Sequence, residues 1–447
     1  MNAIWRLLYR LYRMGSGFRY RATRRFTPAG LVVLVALSIT SLMGMDMEST
    51  VAYQAFSLLL FLILVSFCFG WLFRAKFSAT RHLPRFATVG KPFNYVVTVS
   101  NRAPQVQTDL VLIEDLADPR PDFSEWQAVQ LAEQKKFRSL RVGQRRNTNW
   151  FRLAVIKEAV IAQLPSNDQV EARVEVVPLR RGVLRYRGVT IGRADPLGLF
   201  RALTRFPLPQ TLLILPKRYV LPPIALPGTV KYQEGGIALA SNVGQSEEFV
   251  ALRDYRRGDP LRHIHWRSWA RTGKPIVKEY ADEFFVRHAL VLDTFSNDPR
   301  SELFEEAVSV AASFACVIQT QESLLDLLFV GAQAYCFTAG RGLAHGDQML
   351  EILASVRTCR EKPFQALEAL VLDHASIVSG CVCVFLEWDA SRRNFVQKLK
   401  SFGVPLLVVV MAESTPDPPL DPGPMADEPE NFHTLVLGKI EEGLARL

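Results

Sequence analysis

Two uncharged runs lie near the start of the chain, Ala29 to Met45 and Val51 to Phe73, separated only by Asp46, Met47, Glu48, Ser49 and Thr50. At 1.5 Å per residue they span roughly 25 and 34 Å as helices, so the second is a comfortable membrane crossing and the first a short one. The break between them is too brief for a domain. The pattern predicts a transmembrane helical hairpin over 29–45 and 51–73, preceded by a basic segment over 1–28.

Beyond Lys91 the period becomes two. Phe93, Tyr95, Val97 and Val99 alternate with Asn94, Val96, Thr98 and Ser100, which predicts a strand. Strand-like runs follow at 110–113, 150–156, 170–177 and 183–191, giving an immunoglobulin-like β-sandwich over 86–217. It lacks the cysteine pair of antibody domains, so apolar inner faces alone are expected to hold it. Pro216, Pro222, Pro223 and Pro227, then Gly228, Gly235 and Gly236, suppress regular structure and mark a linker over 218–246.

From Ala289 strands and helices alternate: strands at 289–293, 324–330, 334–338, 381–387 and 405–411, a helix over 302–319 and a last helix over 440–447. Strands apolar on both faces belong at the centre of a covered parallel sheet, so 287–447 reads as a doubly wound α/β domain. The acidic, proline-rich stretch 417–430 is expected to be a mobile, exposed loop.

Composition sharpens this picture. With 49% hydrophobic residues and a mean hydropathy of +0.09, the chain is too apolar for a disordered protein and slightly too apolar for a wholly soluble one. Of the formal charge of +9, seven units come from Arg6, Arg10, Arg13, Arg19, Arg21, Arg24 and Arg25, with no acidic residue before Pro28. The basic balance is therefore a property of one end. It argues for an anionic lipid surface as the electrostatic partner, and no nucleic-acid partner is expected. Arg74, Lys76, Arg81, Arg85 and Lys91 follow the second run, so by the positive-inside rule both termini face the cytoplasm. On a helical wheel Arg6, Arg10 and Arg13 share one face and Ile4, Leu7, Leu8 and Leu11 another. Both an interfacial amphipathic helix and a simple orienting flank fit that pattern. Six cysteines without a Cys-x-x-Cys pair fit a reducing compartment, and the shared-face pair Cys381 and Cys383 reads as core thiols.

The most unusual stretch, 247–286, contains Glu248, Phe249, Leu252, Arg253, Tyr255, Gly258, Asp259, Arg262, Ile264, His265, Trp266, Ala270 and Arg271. Its arginines alternate with aromatic residues and are offset by Asp254 and Asp259. Two readings stay open: a structural clasp, with the tryptophans packed on the α/β domain, and an interaction surface anchored by Arg and Trp.

The string resembles the signature of the bacterial "domain of unknown function 58" family, E-F-x-x-L-R-x-Y-x-x-G-D-x-x-R-x-I-x-W-x-x-x-A-R. Pro178 to Gly182 and Asp195 to Phe200 are similar to that family's preceding region. The resemblance implies a two-helix anchor in the bacterial inner (plasma) membrane, a β-rich module and a C-terminal domain similar to von Willebrand factor type A domains. It also implies company: MoxR-type AAA+ ATPases and transglutaminase-like membrane proteins.

In type A domains a D-x-S-x-S motif after the first strand holds Mg²⁺. Asp293 fills its first position, but Phe295 and Asn297 stand at the hydroxyl positions, leaving a degenerate candidate site of Asp293, Asn297 and Asp389. His263-x-His265 is an incomplete zinc site, and Gly340-Arg341-Gly342 with Gly346 has the wrong spacing for a dinucleotide loop. The chain contains no G-x-x-x-x-G-K-[ST], H-E-x-x-H or G-x-S-x-G string, and no catalytic residue is assigned. The expected role is a non-enzymatic, membrane-anchored adaptor. A metal-dependent enzyme or ligand sensor at the sheet edge, and nucleic-acid binding, are the alternatives.

Overall fold

The computed structural model describes residues 2–43, 50–71, 73, 76–138, 151–222, 249–256, 259, 261–280, 286–298, 301–317, 323–340 and 346–447. The connecting turn at 46–49, most of the expected linker, Glu248, Gly258 and the loop at 341–342 lie outside these residues. The chain divides in the main into two compact units, 1–217 and 218–447.

The first unit opens with three helices, α1 (Asn2–Arg25), α2 (Pro28–Met43) and α3 (Thr50–Trp71). Helices α2 and α3 pack on each other. Val51–Gly70 is long and apolar enough to cross a bilayer, while Pro28–Met43 is apolar but shorter. There follow β1 (Phe77–His82), β2 (Phe86–Thr88), β3 (Phe93–Asn101), β4 (Gln107–Leu116), α4 (Phe123–Arg138), β5 (Ala154–Ile156), β6 (Ala159–Leu164), β7 (Gln169–Pro178), β8 (Gly182–Ala194) and β9 (Arg201–Leu215). They form two sheets, ordered β1-β3-β7-β5 and β2-β9-β8-β4-β6. The period of two in β3 is realised, with Tyr95, Val97 and Val99 turned inward. They share one core with Val174 and Val176 of their own sheet and with Leu110, Leu112, Ile191, Leu212 and Ile214 of the other.

That core is not purely apolar, which corrects the expectation for it. Arg81, read from sequence as a flanking charge, is sealed inside with Glu114; their side chains are 0% and 1% exposed. Arg81 Nε donates to Glu114 Oε1 at 3.0 Å, the Tyr95 hydroxyl donates to the same oxygen at 2.7 Å, and the guanidinium lies 4.4 Å from the centre of the Tyr186 ring. Burial pushes the Glu114 carboxyl up, and Arg81 and Tyr95 oppose it. A helix, α4, is inserted among the strands, and Trp126 and Val129 are its buried positions.

The Asp195–Phe200 loop seats the helices on the sheets. Asp195 Oδ1 accepts from the Leu199 and Phe200 amides at 2.7 and 2.6 Å, and Gly198 turns with a φ of 66°. The exposed loop then meets the chain between α1 and α2: Thr27 N donates to Leu199 O at 3.2 Å, and Phe200 packs edge-on to Phe26 and against Phe67 of α3. Gly30 lets α2 approach, because a Cβ there would sit 2.0 Å from the Leu199 carbonyl oxygen.

The second unit begins with β10 (Phe249–Asp254), α5 (Trp266–Thr272) and β11 (Ile276–Tyr280), the strands pairing antiparallel. Then come β12 (Val286–Leu292), α6 (Glu302–Val317), β13 (Ser323–Val330), β14 (Ala334–Ala339), α7 (Gly346–Ser355), α8 (Gln365–Leu372), β15 (Gly380–Phe385), α9 (Ala390–Ser401), β16 (Leu406–Ala412), β17 (Phe432–Val436) and α10 (Ile440–Leu444). One sheet runs β14-β13-β12-β15-β16-β17, parallel except for the β13–β14 pair. Its central strands are buried on both faces, as their unbroken apolar runs require. Helices α8 and α9 cover the face carrying Ala289, Val291, Cys381 and Cys383; α6 lies against β12, β15 and β16 outside that cluster, on the other face.

One expectation is corrected in part. The acidic stretch 417–430 is exposed at many of its positions but is tied down: Met425 is fully buried, Trp388 Nε1 donates to Asp421 O at 2.8 Å and Lys400 pairs with Asp427. The chain then adds β17, which its mixed composition concealed.

Removing Arg81 should strand a buried carboxylate. Arg81→Met is expected to destabilise the first unit by about 3–5 kcal/mol, while Arg81→Met with Glu114→Leu recovers most of the loss. Chemical denaturation of the full chain in detergent, with proteolysis reporting the first unit, measures both.

Candidate functional site

The signature segment folds as a small unit around β11. Arg253 on β10 grips Asp259 with both ends of its guanidinium, Nη1 to Oδ2 at 2.7 Å and Nη2 to Oδ1 at 2.8 Å. The Arg256 amide donates to Asp259 Oδ2 at 2.7 Å, and the Asp259 amide returns a bond to Arg256 O at 3.0 Å. Arg253 and that amide hold the Asp259 carboxyl down to about 2. Tyr255 N donates to Pro275 O at 3.0 Å, and buried Ile264 bridges to Val277.

His265 opens α5. Its amide donates to Ile276 O at 2.8 Å, and its Nδ1 lies 2.6 Å from Ser268 Oγ, so this imidazole has a local partner. Gly273 ends the helix in the left-handed region. The helix turns Trp266 outward: it stacks on half-buried Trp269 with centroids 5.3 Å apart, yet is 64% exposed. Leu252 and Leu261 are also exposed, as are Arg256, Arg267, Ala270, Arg271 and Lys274. Of the clasp reading, the internal arginine–carboxylate pair is present but Trp266 is not packed away. The side chains of Phe249 and Arg262 lie outside the description.

The second candidate lies at the carboxyl edge of the sheet, where β12 and β15 run side by side and the strand order reverses, the place where such sheets build ligand crevices. Asp293 leaves β12 there with 0% exposure. Its Oδ1 accepts from the Phe295 amide at 2.9 Å; its Oδ2 accepts from the Leu386 amide at 3.2 Å and from Arg392 Nε and Nη2 at 3.2 and 3.0 Å. Asp389 caps α9, Oδ1 taking the Arg392 amide at 3.0 Å and Oδ2 taking Arg392 Nη1 at 2.9 Å. The Arg392 guanidinium lies 4.5 Å from the centre of the Phe364 ring. Burial pushes the Asp293 carboxyl up and Arg392 opposes it; the two carboxylates in turn hold the guanidinium firmly protonated.

The structure therefore brings Asp293 and Asp389 together, but about a guanidinium. Asn297 is exposed on the surface. Both Asp293 oxygens are engaged, and a Mg²⁺ ion entering there would have to displace a cation already paired with two carboxylates. These residues do not fit the metal-site reading, and no group of metal-ligating side chains occurs among the described residues. Sequence reasoning missed Arg392; its spacing of three residues from Asp389, just after an apolar strand, is the signal that would have found it.

Residues 251–394 match the family described as "Protein of unknown function DUF58". The chain is 28% identical over 184 residues to "Uncharacterized protein YeaD" of Bacillus subtilis (strain 168), an alignment covering 40% of this chain and 44% of that protein. It thus spans less than half the length of the relative it matches. Among solved structures, the secreted serine protease VesC from Vibrio cholerae is similar at a TM-score of 0.17 and 8% identity, covering 35% of this chain and 26% of that one. A cohesin module from Clostridium perfringens scores 0.15 at 9% identity, covering 32% and 98%. Likeness of that degree carries no structural argument.

Two outcomes follow from this geometry. Arg392→Lys, unable to bridge Asp293 and Asp389 in one plane, is expected to lower the unfolding midpoint of the second unit nearly as much as Arg392→Met, about 3–5 kcal/mol in each case, as circular dichroism would register. Because the folded Asp259 carboxyl sits at about 2, its clasp contributes above the ordinary carboxyl range and fades as pH falls through that range towards 2. The protection of the Arg256 amide, its exchange rate taken relative to that of an unstructured amide at the same pH, should fall over that interval, and Asp259→Asn should abolish this pH dependence.

Proposed function

We propose that the chain is a membrane-anchored adaptor of the DUF58 family, facing the cytoplasm, whose second unit docks a MoxR-type AAA+ ATPase. The observation that carries this reading is Trp266, an indole left 64% exposed on the short helix α5, which packs beside β11. Exposed tryptophan and arginine side chains are the usual anchors of protein interfaces, and Arg256, Arg267, Arg271 and Lys274 around it suit a partner with an acidic rim. The β-rich module is of immunoglobulin-like type and the α/β domain of von Willebrand factor type A-like type in this proposal. The mainly parallel sheet supports the latter assignment.

The anchor is a hairpin of α2 and α3 in the bacterial inner membrane. Supporting it are exposed apolar side chains along both helices, Val35, Ile39, Leu58, Phe61 and Leu64 among them, which water would penalise and lipid would cover. A transglutaminase-like membrane protein is a second expected neighbour on family resemblance. The Arg392-filled crevice favours the adaptor over a metal enzyme or sensor.

Affinity purification of the tagged full chain from gently solubilised membranes should retain a MoxR-type ATPase. Trp266→Ala, with unchanged thermal stability, should lower the retained amount on the order of tenfold or more. Equal retention by Trp266→Ala moves the interface elsewhere. Salt-sensitive oligonucleotide binding without the ATPase would favour the nucleic-acid alternative.

A further inference from the structure

Helix α1 carries three kinds of surface, and their arrangement assigns it a task. One face is bound to the first unit's own β-rich module. Tyr9 donates its hydroxyl to Pro121 O at 2.9 Å, Trp5 and Tyr9 lie 5.9 and 5.5 Å from Trp126 by ring centroid, and Arg120 Nη1 reaches back to Arg13 O at 2.9 Å. Further along the helix, Arg24 pairs with Asp115. These residues recur with helical spacing, so the docked stripe runs the length of the helix.

The opposite face is largely exposed to solvent. Ile4, Leu7, Leu8, Leu11, Met14 and Phe18 follow one another at helical spacing as a single apolar stripe, with exposures from 44% at Leu8 to 76% at Phe18. Six large apolar side chains held in water along one stripe form a patch that calls for a cover. The stripe is bordered on one side by Arg6, Arg10 and Arg21 and on the other by Arg19, and the helix has no acidic residue. The chemistry that matches an apolar strip between rows of guanidinium groups is an anionic phospholipid surface: acyl chains for the stripe, phosphates for the arginines. The helix also leads, after Phe26 and Thr27, directly into the apolar α2.

We propose that α1 is a lipid-binding spacer. Its apolar face is sunk in the headgroup region of the anionic cytoplasmic leaflet, and its aromatic face holds the β-rich module flat against that leaflet. The inference rests on the membrane anchorage proposed above, yet it concerns a separate contact. The hairpin alone would tether the module, whereas α1 fixes its height and tilt and makes that posture depend on lipid charge.

The test uses the full chain in nanodiscs of phosphatidylcholine, with or without phosphatidylglycerol. An environment-sensitive fluorescent amino acid is placed at Leu11 or Phe18, and at Phe61 of α3 as the anchor reference. Brominated lipid should quench Leu11 and Phe18 strongly in discs containing phosphatidylglycerol and weakly in phosphatidylcholine alone, with Phe61 quenched in both. Arg6→Gln, Arg10→Gln and Arg21→Gln together should cut the lipid-contacting fraction at Leu11 by roughly tenfold. Quenching at Phe61 but not at Leu11 or Phe18 overturns the proposal and leaves the anchor intact. So does shielding of Leu11 from an aqueous quencher without lipid quenching, which marks contact between copies of the chain. Absence of quenching at Phe61 refutes the anchorage itself.

Discussion

A guanidinium sealed from water has to bring its counter-charge with it, and both units of this protein are organised around that necessity. Arg81 meets Glu114 between the two sheets of the first unit, and Arg392 meets Asp293 at the carboxyl edge of the parallel sheet. Isolated charges at such depth would cost many kcal/mol, so each pair dictates the position of the elements that carry it. Strand β1 must run beside β3 with Arg81 facing β4, and α9 must start where its first turn can reach back to β12. Planar five-donor geometry is what lets Arg392 satisfy Asp293 and Asp389 together.

The consequence for function lies in the crevice. A switch point in a parallel sheet is the customary place for a ligand, and here the protein has filled it with its own cation. Among the described residues of the second unit, Trp266 and several basic side chains of the signature segment stand exposed on the surface. The same economy shapes the first unit, whose Asp195–Phe200 loop spends its hydrogen bonds on shaping itself and its Phe200 ring on seating the helices.

The legible parts of the fold were those where one physical requirement ruled a stretch of chain. The alternation in β3 follows from burial of a single face, and the unbroken apolar runs of β15 and β16 from burial of both. The signature segment was legible as an unusual stretch of arginine and aromatic residues, and Asp293 as a strand-end carboxylate. Arg81 was misleading because an arginine after an apolar run reads the same whether it faces headgroups or a core glutamate. Arg392 escapes sequence reading because its partner Asp293 lies 99 positions earlier. Proline-rich 417–430 reads as untethered because composition does not reveal that Met425 enters the core.

Arg392, rather than a divalent ion, neutralises the buried carboxylate at the sheet edge. Electron paramagnetic resonance of Mn²⁺ titrated into the purified full chain should therefore show no Mn²⁺ bound at Asp293 in the native protein, with the free-ion signal unchanged by Asp293→Asn. Stoichiometric Mn²⁺ uptake by the native chain, lost in Asp293→Asn, would instead give that role to a metal.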